Sequence, residues 1–91
     1  MNKHDFVKAL AEKLSLPHTK AEESLNAVMD LIESSLVEGQ TITFVGFGQF
    51  GVKTRAARTG RNPKTGEPLN IPAAKVPYFT PGKKLKDAIK N

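Results

Sequence analysis

Residues 53–68, Lys-Thr-Arg-Ala-Ala-Arg-Thr-Gly-Arg-Asn-Pro-Lys-Thr-Gly-Glu-Pro, constrain the fold more than any other stretch. Their only hydrophobic members are Ala56 and Ala57. They carry five cations (Lys53, Arg55, Arg58, Arg61, Lys64) against one anion, Glu67. A 16-residue segment of this kind cannot enter a core. The chain has 91 residues, room for one domain spanning 1–91. A domain so small already buries a modest share of its surface. With no cysteine, it has neither a disulfide nor a thiolate for zinc. A second chain is therefore expected to complete the core, and the obvious candidate is another copy of this one.

The charge is divided along the sequence. Residues 1–45 hold four Lys and seven Asp/Glu, net −3, whereas residues 46–91 hold ten Lys/Arg and two Asp/Glu, net +8. Cations gather where the hydrophobic residues vanish, which points to a polyanion as partner. The plainer alternative is a charged surface that only keeps the chain soluble. The apolar stretch over residues 6–16 is interrupted by Lys8, Glu12 and Lys13, so it does not suit a signal peptide. No run approaches the ~20 apolar residues of a membrane span. The expectation is a soluble, intracellular protein that does not engage membranes.

Periodicity supplies the elements. Phe6, Leu10 and Leu14 recur every four residues, with Val7 and Ala11 beside them, behind an Asn2/Asp5 capping pair. Thr19 and Glu22 resemble a second capping box, followed by Ala21, Leu25, Val28, Met29, Ile32 and Leu36 at helical spacing, with Gly39 at the C-terminal cap. This predicts a helical hairpin and, with the first strand, an N-terminal segment of residues 1–45. From Thr41 to Val45 the period changes to two, with β-branched and aromatic residues that favour a strand. Gly46-Phe-Gly48 is a tight turn, and Gln49-Phe-Gly-Val52 resumes the alternation. Leu69-Asn-Ile71 and Val76-Pro-Tyr-Phe79 form the return, at a sheet edge because Pro72 and Pro77 cannot donate to a ladder. Thr80-Pro81 suits a helix start, and Leu85 and Ile89 mark a short helix over residues 83–91. The order predicts an α+β fold with an antiparallel three-stranded sheet and a protruding ribbon.

The basic stretch is then an arm over residues 53–72, with its tip in Asn62-Pro-Lys-Thr-Gly66, where turn formers concentrate. Ten extended residues reach roughly 33 Å. A two-stranded ribbon alone is barely stable in water, so the arm is expected to be mobile until it is bound. Arg55, Arg58 and Arg61 recur every three residues along it. Guanidinium groups suit a narrow groove of high negative potential. Pro63, rigid and lacking an N–H, has the form of a wedge between base pairs, with Asn62 beside it to meet base edges or sugars. The plain alternative is a solvated or disordered loop, but the strand-like flanks favour an anchored arm.

Val45-Gly-Phe-Gly-Gln-Phe50 followed by Arg55-Ala-Ala-Arg-Thr-Gly-Arg-Asn-Pro-Lys-Thr-Gly66 resembles the HU/integration host factor family of bacterial nucleoid-associated DNA-binding proteins. Met1-Asn-Lys3, Ala11-Glu-Lys13, Val76-Pro77 and Gly82-Lys83 also look like that family, so the likeness covers the whole chain. It implies an intertwined dimer of helical hairpins beneath a β-saddle, with two arms reaching into the DNA minor groove. It also implies Arg55, Arg58 and Arg61 along the arm with Lys53, Asn62, Lys64 and Thr65, an intercalating Pro63, and Lys3, Lys75, Lys83 and Lys86 on phosphates. Phe44, Phe47, Phe50, Phe79 and Leu36 would form the core between subunits. Tyr78 and Thr80-Pro-Gly82 are similar to integration host factor subunits, whereas the end at Asn91 is similar to HU, the branch favoured here. The implied partner is double-stranded DNA, with RNA left open. The implied assembly is a homodimer, with a heterodimer of paralogues left open, in the cytoplasmic nucleoid of a bacterium.

Other chemistries find less support. His4 and His18 lack further ligands at metal spacing, so neither metal nor cofactor is expected. Ser34-Ser35 have no histidine partner in a motif. Asp5, Glu12, Asp30 and Glu33 suit solvated helix faces better than a catalytic pair. Gly46-Phe-Gly48 is not followed by the Lys-Ser/Thr and helix of a phosphate loop. Phe44, Phe47 and Phe50 alternate with Gly and Val, which favours packing over base stacking. The expectation is a non-enzymatic architectural DNA-binding protein with little sequence preference, which bends and compacts DNA and favours nicked or distorted duplexes. Its rivals are a sequence-specific host-factor-like subunit, a general RNA or polyanion binder, and a metal-dependent nuclease.

Overall fold

The structure, a computed structural model, describes residues 1–90. The elements in order are α1 (Lys3–Leu14), α2 (His18–Val37), β1 (Ile42–Phe44), β2 (Gly48–Arg55), β3 (Arg58–Arg61), β4 (Pro68–Ile71), β5 (Ala74–Pro81) and α3 (Lys83–Ile89). The α+β class with an antiparallel sheet is as expected. Asn91, included in the expected last helix, lies outside the described residues. The chain divides into two compact units, Met1–Ser35 and the remainder from Leu36.

In the first unit α1 opens as the sequence predicts. The Asn2 side chain accepts from the Asp5 backbone N–H at 2.9 Å, while the Asp5 carboxylate accepts from the Asn2 N–H at 3.4 Å. The start of α2 differs from expectation. Thr19 and Glu22 do not form a capping box, because the helix already begins at His18. The Pro17 carbonyl accepts from the Ala21 N–H at 3.1 Å, so Thr19 lies inside the first turn. Proline has no N–H, so one of the orphan donors at the helix entrance is absent. The end of α2 is as predicted. Gly39 adopts φ +80°, and its N–H closes on the Leu36 carbonyl at 3.0 Å.

In the second unit β1, β2 and β5 form one antiparallel sheet in that order. β5, which carries Pro77 and Pro81, is indeed an edge. The strand runs further than predicted. Thr80 and Pro81 pair with Gln49 and Gly48, and Gly82 caps α3 in place of Thr80. Ladder hydrogen bonds to β2 hold these residues extended, so they cannot start a helix. The Gly82 N–H donates to the Phe47 carbonyl at 2.8 Å, and the Leu85 N–H donates to the Gly46 carbonyl at 3.2 Å. These bonds tie α3 to the β1–β2 turn.

The arm is two ladders with a gap. The β2–β5 pairing continues out to Arg55 opposite Ala74, so residues 53–55 still belong to the main sheet. After the gap, β3 and β4 pair from Arg58 opposite Ile71 to Arg61 opposite Pro68. Pro72 sits in the gap and has no N–H to donate, which accounts for the missing rung. The register carries across unchanged, because three residues advance on one strand while three are lost on the other.

Little of this chain is buried. Among the described residues, the buried hydrophobic side chains are Val7 and Ala21. The phenylalanines of the second unit touch one another. Ring centroids lie 4.7 Å apart for Phe50–Phe79, 5.6 Å for Phe47–Phe79, 6.2 Å for Phe44–Phe50 and 6.5 Å for Phe44–Phe47. Yet Phe44, Phe47 and Phe79 remain 43%, 51% and 40% exposed. Aromatic rings gathered this closely and left this open need a cover.

Candidate nucleic-acid interface

Side chains alternate across a strand, so the shared register sorts the second unit into two faces. Gln49, Gly51, Lys53 and Arg55 lie on one face of β2, opposite Thr80, Tyr78, Val76 and Ala74 of β5. Thr43 of β1, paired with Gln49, joins this face. Beyond the gap the hydrogen-bonding phase has moved by one residue, since Pro81 opposite Gly48 and Pro68 opposite Arg61 both lack a ladder donor. This face therefore continues through Arg58 and Gly60, opposite Ile71 and Leu69. The other face carries Phe50, Val52 and Thr54 opposite Phe79, Pro77 and Lys75, then Thr59 and Arg61 opposite Asn70 and Pro68. The three arm arginines therefore do not line one side. Arg55 and Arg58 share a face with Lys53, whereas Arg61 and Lys75 share the opposite one. The break between Arg55 and Arg58 turns the strand by one step, and from Arg58 to Arg61 the regular period of two changes the face.

The arm cations are free. Lys53, Arg55, Arg58, Arg61, Lys64 and Lys75 are all exposed. The one salt bridge among the described residues, Lys20–Glu23 at 3.6 Å, lies on α2. Even Glu67, the arm's single acid, pairs with none of them. Lys83 and Lys86 are exposed on α3, and Lys3 is exposed on α1.

The tip is built by Asn62 and Thr65. The Asn62 Oδ1 accepts from the Lys64 N–H at 2.9 Å, and its backbone N–H donates to the Glu67 carbonyl at 2.9 Å. Its own carbonyl accepts from the Gly66 N–H at 2.7 Å, and the Thr65 hydroxyl accepts from the Glu67 N–H at 3.3 Å. Asn62 is thus half-buried, with its amide oxygen occupied inside the turn. Only its Nδ2 donor is left to meet another molecule. Pro63 stands exposed at the apex, held by these bonds on either side.

Thr43, Gln49 and Tyr78 were not among the site residues expected from the sequence. Thr43 Oγ1 donates to Gln49 Oε1 at 3.4 Å, and Gln49 Nε2 donates to the Tyr78 hydroxyl at 3.3 Å. Their common parity with Lys53 and Arg55 was the available signal, but it needs the strand pairing to be read. The histidines, in contrast, come together as the sequence did not foresee, with ring centroids 5.1 Å apart. No third ligand joins them, and no group of three or more metal-ligating side chains occurs among the described residues. No helix among them is long and apolar enough to cross a membrane.

A small α+β chain with an exposed aromatic cluster and an unpaired basic ribbon belongs to the class of arm-bearing polyanion binders. Comparison with known proteins narrows the class. The sequence matches the family described as bacterial DNA-binding protein over residues 1–90. It is 49% identical to the DNA-binding protein HU of Staphylococcus aureus over 90 residues, 99% of this chain and all of that protein. It is 50% identical to the DNA-binding protein HU of Geobacillus stearothermophilus over the same extent. Among solved structures, an Anabaena HU–DNA cocrystal structure superposes with a TM-score of 0.93 at 42% identity, covering 99% of this chain and 98% of that one. HU from Thermotoga maritima superposes with a TM-score of 0.72 at 27% identity, covering 99% and 100%. The chain belongs to the bacterial DNA-binding protein family, and its similarity is to the HU members.

Proposed function

We propose that this chain is a non-enzymatic architectural protein of the bacterial nucleoid that binds double-stranded DNA as an intertwined homodimer. In this reading residues 1–91 act as one DNA-binding domain, completed by the partner chain. The observation that carries it is the ribbon of exposed, unpaired cations ending in an exposed Pro63. The solved likeness of an HU relative crystallised with DNA supports the ligand.

In this reading the arm, its tip and the flanks divide the work. Lys53, Arg55, Arg58, Arg61 and Lys64 neutralise phosphates and follow the minor groove, where A·T looks like T·A and G·C like C·G, so sequence preference is weak. Both ribbon faces carry arginine, and a two-stranded ribbon twists strongly. Such an arm presents guanidinium groups to both walls of a groove. Pro63 enters between base pairs and opens a kink. Asn62 and Thr65 hold the turn that aims it, and the Asn62 Nδ2 donates to a base edge or sugar. Lys3, Lys75, Lys83 and Lys86 hold phosphates of the bent flanks. Phe44, Phe47, Phe50, Phe79 and Leu36 become the core between subunits, which covers the half-open rings. A protein that bends DNA favours duplexes that bend cheaply, so a nicked duplex binds more tightly than an intact one. Such a protein resides in the cytoplasm with the chromosome.

The test is a gel-shift titration of one short duplex, intact and with a central nick, against the wild type and Pro63→Ala. A preference for the nick that shrinks in the variant is the expected result. Equal affinity of both proteins for both duplexes would leave a protein that binds by charge and refute bending by a proline wedge.

A further inference from the structure

We propose that Tyr78, oriented by Gln49 and Thr43, forms an uncharged hydrogen-bonding floor that contacts the sugar–phosphate oxygens of bound DNA between the arms. The inference rests on the DNA-binding reading above and adds to it a contact that involves no cation.

Three observations carry it. The first is the direction of the hydrogen bonds. Thr43 gives its proton to Gln49 Oε1, which leaves Gln49 Nε2 to donate to the Tyr78 oxygen. The phenol then keeps its own proton for an outside acceptor. The second is the placement of the ring. A Cβ built at Gly51 would meet Tyr78 Cζ at 2.6 Å and Cε2 at 2.7 Å. The ring therefore lies over the glycine, half-buried, and its hydroxyl cannot sink further into the sheet. A donor with so little freedom loses little entropy on binding. The third is the face. Thr43, Gln49 and Tyr78 share it with Lys53 and Arg55. By register it contains no Asp or Glu, so nothing on it repels a phosphate. The acceptor that fits is an oxygen of the DNA backbone, which every sequence presents.

An uncharged contact has a signature that separates it from the lysines and arginines. Replacing it weakens binding equally at all salt concentrations, because no counterion is released by a phenol. Tyr78→Phe keeps the ring over Gly51 and removes only the hydroxyl. Duplex affinity of the full-length protein is measured by fluorescence anisotropy from low to high salt, with thermal melting as the fold control. The expected result is binding weakened roughly tenfold, the sum of one neutral hydrogen bond per chain in a dimer. The slope of log K against log salt and the melting temperature stay unchanged. Gln49→Ala, which releases the phenol but leaves the ring, should lose affinity in the same slope-neutral way. Wild-type affinity in Tyr78→Phe overturns the inference, as does a loss accompanied by a shallower slope. Failure of the wild type to bind the duplex would bring down the DNA-binding reading itself. Normal wild-type binding with an unaffected Tyr78→Phe would sink only this floor contact.

Discussion

Replacing Arg58 and Arg61 with alanine tests how the arm holds its ligand. Neither guanidinium has an acidic partner, since the only salt bridge among the described residues is Lys20–Glu23. Each is exposed and offers a full charge to phosphate. Two substitutions per chain remove four cations from a dimer. With a slope near −0.9 per neutralised phosphate, log K against log salt should become shallower by about 3.6. Between 50 and 200 mM salt, a fourfold change, the variant should therefore lose about two decades less affinity than the wild type does. The single variants say more. Arg61 shares its face with Thr59 and Asn70, and Arg58 shares the other with Leu69 and Ile71. A ribbon inserted into a groove uses both, so each single change should lower the slope by about 1.8. The assay is anisotropy of a labelled 25-base-pair duplex (about the length of a short site) at five salt concentrations. A slope reduced by Arg61→Ala and untouched by Arg58→Ala would mean that DNA meets one face only. A slope untouched by both would refute arm binding through phosphate neutralisation.

Three further outcomes follow from the packing. Gly51→Ala drives a methyl group into the Tyr78 ring. It should cost about 1–3 kcal/mol, read as a melting temperature lower by roughly 4–8 °C per kcal/mol, and Tyr78→Ala in the same chain should return most of it. Phe79→Ala removes the ring that touches both Phe47 and Phe50. With about 3 kcal/mol for each lost phenylalanine and two in a dimer, dissociation followed by sedimentation should shift by on the order of 10⁴-fold. Asn2→Ala breaks the capping box and should lower stability by about 1 kcal/mol, as measured by urea unfolding, while the salt slope of binding stays the same.

Much of the fold was legible before any coordinates. The Asn2/Asp5 pair announced α1, Gly39 announced the end of α2, and the turn formers at residues 62–66 announced the tip. These are local signals, settled within a few residues of backbone. The misreadings came where the surrounding backbone overruled a residue's own preference. Thr80-Pro81 has the chemistry of a helix start, but β2 holds both residues in a ladder. Thr19 has the chemistry of a cap, but the turn from Pro17 had already begun.

The candidate site divides in the same way. Composition alone put Lys53, Arg55, Arg58, Arg61 and Lys64 outside any core, because a run with two alanines as its only hydrophobic members has nothing to bury. Which of them share a face was not accessible, since that depends on where the register falls across a gap made by Pro72. The use of the Asn62 amide oxygen inside the turn, and the hydrogen bonds linking Thr43, Gln49 and Tyr78 across three strands, were equally hidden. The sequence by itself determined the element types, the arm and its charge, because these depend on neighbouring residues and on what can leave water. Tertiary structure alone decided the two faces of the ribbon and the neighbours of each donor, because strand pairing joins residues from 7 (Arg61 and Pro68) to 33 (Gly48 and Pro81) positions apart that no local pattern connects.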